Sequence, residues 1–199
     1  RFAREGFHPT LVLRRDDDAE PLVPHLPPDP TFVTADLTDP KTLGPLSAWI
    51  TEHLPDPEVF LYNASAGARS LPSQLAPEAL EESLHVNLRA PLHLVRTLLP
   101  GFRRRGSGTL LFTGGGLALE PQAQETALSI GKAALRHLAL CLADELAPEG
   151  LHVATLTVAG FVQTGQTFSP DTVAEAAWEL HTEQRGSWRR EVVLQPECR

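Results

Sequence analysis

Apolar residues along this chain come in short unbroken runs set between longer segments of mixed polarity. Thr10-Leu11-Val12-Leu13, Thr31-Phe32-Val33-Thr34-Ala35, Val59-Phe60-Leu61-Tyr62, Gly108 to Thr113, Leu151 to Val158 and Glu191-Val192-Val193-Leu194 are short and rich in β-formers. Such runs predict strands buried on both faces. The segments between them predict helices. One covers Pro40 to Leu54, with Asp39 as its cap and Pro40 at its first position. A long one covers Pro77 to Arg105, another runs from about Glu125 to Leu146, and a last one opens at Ser169-Pro170 and ends near Glu183. Arg1 to Glu5 reads as a final helical turn stopped by Gly6. Asp16 to Pro30 holds five prolines and is expected to be mostly irregular. Leu80, Leu84 and Leu88 form one apolar stripe, and Leu135, Leu138 and Leu142 another; both predict core packing. Strands alternating with helices predict an α/β fold, a doubly wound parallel sheet in one domain over residues 1–199. Ligands of such sheets bind at the carboxyl ends of the strands.

The stretch from Gly108 to Arg136 organises the rest. A β-rich run is expected to break at Gly114-Gly115-Gly116, cross a loop with Pro121 and enter the helix that carries Lys132. Leu128 lies one turn earlier on the same face. In the preceding long helix, Asn87 stands four residues before Pro91, which has no N–H to give the Asn87 carbonyl. A bend near Asn87, with that carbonyl free of a backbone donor, is therefore expected.

Composition narrows the partners. The formal net charge of −8 argues against nucleic acid or an anionic membrane surface. Arg103-Arg104-Arg105 is most simply a solvated helix end. No apolar run approaches the ~18 residues of a membrane span. The two cysteines, Cys141 and Cys198, form no metal spacing, the histidines show none either, and a reducing cytoplasm is expected.

Five motifs in order resemble the short-chain dehydrogenase/reductase family. Asp36-Leu37 is similar to the pair that contacts adenine, and Tyr62-Asn63-Ala64-Ser65 resembles the turn after the family's fourth strand. Asn87 and Lys132 resemble the active-site Asn and Lys, and Ala159-Gly160 with Thr164 resembles the turn and Thr that meet the nicotinamide. The resemblance implies a Rossmann-type three-layer αβα fold and NADP-linked oxidoreduction of a small carbonyl or alcohol. It implies catalytic roles for Asn87 and Lys132, and cofactor binding by Asp36, Leu37, Asn63, Ala64, Lys132, Gly160 and Thr164. Arg14 and Arg15 follow the second family strand, where a basic residue pairs with the 2′-phosphate of NADP; this favours NADP over NAD, although Asp16 to Asp18 could pair with both arginines. Asp36 serves equally well as a cap for the helix start at Thr38-Asp39-Pro40. A homodimer or homotetramer is also implied.

The chain departs from the family where chemistry is done. The Tyr position is Leu128 and the Ser position is Gly115. Neither can donate a side-chain hydrogen bond or carry a proton. Two readings follow: an atypical reductase, or a catalytically silent NADP(H)-binding protein with a sensing or assembly role. The resemblance also implies a first strand and glycine-rich loop ahead of Arg1, about 25 residues. Without that strand, those at Thr10 and Val59 are expected to face an empty slot. Each buried unpaired backbone group there costs about 1–3 kcal/mol against a total stability of roughly 5–15.

Overall fold

Every strand pair among the described residues is parallel. The computed structural model describes residues 1–163 and 168–195. In chain order the elements are β1 (Thr10–Leu13), β2 (Thr31–Thr34), α1 (Leu43–His53), β3 (Val59–Tyr62), α2 (Pro77–Leu84), α3 (Ala90–Arg105), β4 (Gly108–Gly115), α4 (Thr126–Leu146), β5 (Leu151–Val158), α5 (Pro170–His181) and β6 (Glu191–Leu194). They form two sheets: β1 with β2, and β3-β4-β5-β6. No ladder joins β1 to β3 among the described residues.

Alternation along the strands divides the core. Tyr62, Leu110, Phe112, Leu151 and Val153 pack against Leu46 and Ile50 of α1, Leu94, Val95 and Leu98 of α3, and Leu135, Ala139 and Leu142 of α4. Leu111, Ala154 and Leu156 point the other way, onto Ala176, Ala177 and Leu180 of α5. The four-stranded parallel sheet thus has helices on both faces. Because the strands of each sheet run one way, the residues following β3, β4 and β5 gather along one edge of the larger sheet, and those following β1 and β2 along one edge of the smaller.

Several local expectations are corrected. The glycines do not break β4: Gly114 pairs with Thr157 and Gly115 with Val158, and only Gly116 enters a tight turn, Gly116–Ala118. Gly114 fits because a Cβ there would lie 2.8 Å from the Thr157 hydroxyl oxygen. The leucine stripe Leu80, Leu84, Leu88 is only half-buried, while Ser83, His85, Val86 and Asn87 are the buried residues. Arg103, Arg104 and Arg105 are not merely solvated; they pair with Glu149, Asp56 and Glu58. The Asp39 cap is present, its carboxylate accepting the Lys41 N–H at 2.9 Å.

The expected long helix is three pieces. Between α2 and α3 lies a π-helical turn, His85–Arg89. In this register the Ala90 N–H donates to the His85 carbonyl instead of Val86's. Pro91 has no N–H for Val86 either. Val86's carbonyl is thus without a backbone donor from either residue, and the buried Tyr62 hydroxyl donates to it at 2.5 Å.

Candidate active site at the carboxyl edge

Lys132 projects from the second turn of α4, and its Nζ donates to the Thr113 carbonyl of β4 at 3.0 Å. The residue is 8% exposed. Burial disfavours the ammonium and pushes its pKa down to about 8. No carboxylate pairs with it among the described residues. Gly115 is its neighbour across the cleft. A Cβ added there would meet only the Cγ and Cε of Lys132, each at 4.0 Å. Gly115 is extended, at φ −151° and ψ 155°, a conformation open to any residue.

Leu128 is half-buried and belongs to neither core cluster. It lies against Gly67, where a Cβ would stand 2.7 Å from its own Cβ. Gly67 follows β3, so Leu128 sits at the carboxyl edge with Lys132 and not in the interior. The next residues of that loop are fastened to the start of α4. The Ser70 N–H donates to the Gln124 carbonyl at 3.0 Å, and Arg69 reaches Glu125 at 3.0 Å and the Gln124 side chain at 2.8 Å.

Asn87 is fully buried. Its Nδ2 donates to the Ala66 carbonyl at 2.7 Å and to the Ser83 carbonyl at 2.8 Å. The Ser83 hydroxyl lies 3.0 Å from the Ala66 carbonyl and 2.9 Å from that of Ala127. This pair ties the loop after β3 to α2 and α4. Ser83 escaped the sequence reading. The available signal was its place one turn before Asn87, with a helical glycine, Gly131, facing both.

The residues expected to bind cofactor follow the strands: Arg14 and Arg15 after β1, Asp36 and Leu37 after β2, Asn63 and Ala64 after β3, and Gly160 after β5. Arg14 follows β1 and Asp36 follows β2, and their side chains meet at 3.0 Å. Arg15 pairs with Asp18 at 3.1 Å. Asp16 to Asp18 therefore hold one arginine and not both. Asp36 also accepts the Thr38 N–H at 2.9 Å and its hydroxyl at 2.7 Å, so the capping reading describes its geometry. These bonds, the Thr38 N–H first and Arg14 last, hold its carboxyl below the usual range. Leu37 packs against the larger core cluster, as does Ala64 beside the exposed Asn63. Gly160 is exposed and backs onto the Phe168 ring, which a Cβ would approach to 2.5 Å. Thr164 lies outside the described residues. No metal-binding group of His, Cys, Asp and Glu occurs among the described residues.

The model of the family described as short chain dehydrogenase matches residues 1–171. The chain is 22% identical over 171 residues to an uncharacterized oxidoreductase of Staphylococcus epidermidis, covering 86% of this chain and 74% of that one. It is 29% identical over 106 residues to a Homo sapiens protein named inactive hydroxysteroid dehydrogenase-like protein 1, covering 53% of this chain and 32% of that protein. A metagenomic short-chain oxidoreductase solved in complex with NADP superposes with a TM-score of 0.86 at 19% identity, over 99% of this chain and 89% of that one. That superposition shows the shared fold.

Proposed function

The chain belongs to the short chain dehydrogenase family, and from that premise we propose that it is an NADP(H)-linked oxidoreductase acting on a small carbonyl or alcohol. The observation that carries this reading is Lys132, a buried amine kept at the carboxyl edge where such sheets bind ligands. Burying an amine away from any carboxylate is costly, and nothing in the packing requires it.

The residues present fit a dinucleotide phosphate. Arg14 beside the Asp36 carboxylate and Arg15 beside Asp18 offer two exposed guanidiniums just after β1, suited to a 2′-phosphate. Their present ion pairs are exposed and worth about 0–1 kcal/mol each, so a phosphate can displace them. Asp36, Leu37, Asn63 and Ala64 would hold the adenosine side, Gly160 and Thr164 the nicotinamide side, and Lys132 the ribose between. The cofactor supplies a hydride to the substrate carbon. Asn87 and Ser83 act on the site indirectly, by fixing the loop that carries Gly67. Asn87 is thus a positioning residue here, since its amide N–H groups are spent on backbone carbonyls.

The carbonyl substrate would lie over Gly115, with Leu128 as an apolar wall. Exposed Leu92 of α3 and Ile130 of α4, 38% and 43% exposed, support association into a homodimer or homotetramer through those helices. A cytoplasmic setting is part of the same reading. No helix among the described residues is long and apolar enough to cross a membrane.

The test is titration with NADPH and with NADH by fluorescence, followed by turnover assays on small aldehydes and ketones. NADPH is expected to bind at least about tenfold more tightly, about 1.4 kcal/mol, and at least one carbonyl to be reduced slowly. Binding without turnover on any carbonyl would leave a silent nucleotide-binding protein. Failure to bind either nucleotide would overturn both.

A further inference from the structure

We propose that Lys132 is itself the proton donor to the carbonyl oxygen, a catalytic role that rests on the oxidoreductase reading above. Elimination within the site is the first support. Gly115 and Leu128 offer no proton. The Asn87 amide is spent on the Ala66 and Ser83 carbonyls, and the Ser83 hydroxyl lies between those of Ala66 and Ala127. The buried Ser129 hydroxyl, next to Leu128 in α4, points about 100° away from the face shared by Leu128 and Lys132 and lies against the Gln122 N–H at 3.3 Å. Glu125 is held by Arg69 at 3.0 Å. The remaining charged groups on neighbouring elements are also engaged or turned away. Arg136 of α4 is paired with Glu191 of β6 at 2.5 Å, Arg89 of the π turn is exposed, and burial above all lowers the pKa of His85 in that turn.

Space is the second support. With no side chain at Gly115, the nearest atoms around the missing Cβ are the Cγ and Cε of Lys132. A carbonyl group entering over Gly115 meets the lysine stem with nothing interposed. The Nζ spends one N–H on the Thr113 carbonyl and retains two. That carbonyl fixes the amine without neutralising it. The third support is proton affinity: an amine whose pKa is near 8 is a useful acid near neutrality, whereas an ordinary lysine is too weak.

The step balances. The carbonyl carbon gains a hydride from the reduced nicotinamide cofactor of the proposed activity. The carbonyl π pair takes the proton from Nζ, giving an alcohol, an oxidised cofactor and a neutral amine. Water returns the proton to Nζ before the next turnover. The charged amine is the active form, so reduction proceeds at low pH and fails as pH rises through the pKa.

The experiment compares the full chain with Lys132→Arg and Lys132→Ala, each first shown to be folded by circular dichroism and saturated with NADPH at its own measured affinity. For the unaltered chain, kcat for reduction is expected to be flat and then to fall about tenfold per pH unit above about pH 8. Lys132→Arg keeps a cation for the ribose but holds its proton too tightly; it should bind NADPH, lose about 10²-fold in kcat and lose that limb. Added primary amines should restore Lys132→Ala, the more acidic amines best. A second readout needs no turnover: acylation of Lys132 by acetic anhydride, followed by peptide mass spectrometry, should be half-maximal near about pH 8, well below an ordinary lysine's ~10.4. Turnover that survives Lys132→Arg with the same limb, or an acylation midpoint at the ordinary lysine value, would overturn the proton-donor role alone. Absence of turnover in every form, with NADPH bound, would instead overturn the oxidoreductase reading on which it rests.

Discussion

Gly131 lies directly against the side-chain amide of Asn87. A Cβ on Gly131 would stand 2.8 Å from the Asn87 Nδ2 and 2.9 Å from the Ser83 Oγ. The close approach lets α4 press on the amide that holds the Ala66 carbonyl. In an ordinary helix interior, glycine to alanine stabilises by about 0.5–1 kcal/mol. Here the methyl group has nowhere to go, and overpacking costs about 1–3 kcal/mol. Gly131→Ala is therefore expected to lower the urea midpoint, for a net loss of about 1 kcal/mol or more. A more stable variant would show that this contact is slack.

The Arg14–Asp36 pair carries the cofactor preference. Arg14 is 65% exposed in its side chain, so Arg14→Ala should change stability by less than about 1 kcal/mol. It should nonetheless erase most of a tenfold preference for NADPH, about 1.4 kcal/mol, while leaving NADH binding unchanged. Calorimetric titration with both nucleotides measures this. Equal losses for the two would assign Arg14 to the fold and not to the phosphate.

Much of this arrangement could be read from the residues, and the failures have physical causes. The strands were legible because buried parallel strands are nearly continuous apolar runs, as Leu151–Val158 shows. The break at Asn87 was legible because Pro91 lacks a donor. Its register was not, since the π turn leaves the Val86 carbonyl to a distant partner, Tyr62 of β3, whose hydroxyl donates to it. The stripe Leu80, Leu84, Leu88 misled because a polar clamp, Ser83 with Asn87, sets the buried face of that segment. Arg14 meeting Asp36 depends on β1 pairing with β2 in register, Thr10 with Thr31 and Leu13 with Thr34. No local spacing encodes that pairing. Gly114 and Gly115 looked like a strand break, yet the small residue at Gly114 answers to the threonines of β5 beside it.

A second ion pair predicts how stability responds to acid. Arg136 of α4 makes two bonds to Glu191 of β6, at 2.7 and 2.5 Å, and the Thr157 hydroxyl adds a third at 2.9 Å. The Arg136 hydrogen bond, above all, holds the Glu191 carboxyl below its usual pKa. A carboxylate whose folded pKa is lowered contributes stability fully above its unfolded value, about 4.3, and loses it as pH falls through the folded value. Glu191→Gln should cost about 1–3 kcal/mol at neutral pH. The gap between variant and unaltered chain should close as pH drops below about 4. Urea denaturation at a series of pH values checks this, and a gap independent of pH would mean that the contribution of Glu191 is not ionic.

The vacancy at Gly115 and Leu128 leads to the last prediction. Gly115 is extended and has room for a side chain beside Lys132, so serine fits there without strain. Leu128 is half-buried at the carboxyl edge, one helical turn before Lys132, so a tyrosine there shares its face. The double change Gly115→Ser with Leu128→Tyr would supply a hydrogen-bond donor and a proton carrier beside an amine already in place. A tuned general acid is worth about 10²–10⁴ in rate. The surrounding site is not shaped to these two hydroxyls, and Gly67 already presses on Leu128. The expected gain in NADPH-dependent turnover on some simple carbonyl is therefore about tenfold or more, toward the low end of that range. The pH limb should also move, because a tyrosine now carries the proton that Lys132 carried alone. Unaltered protein already turning over at the ordinary ~1–10³ s⁻¹ of enzymes would defeat the prediction. It would mean that the site, with Leu128 and Gly115 in place, already has all the acid catalysis it can use.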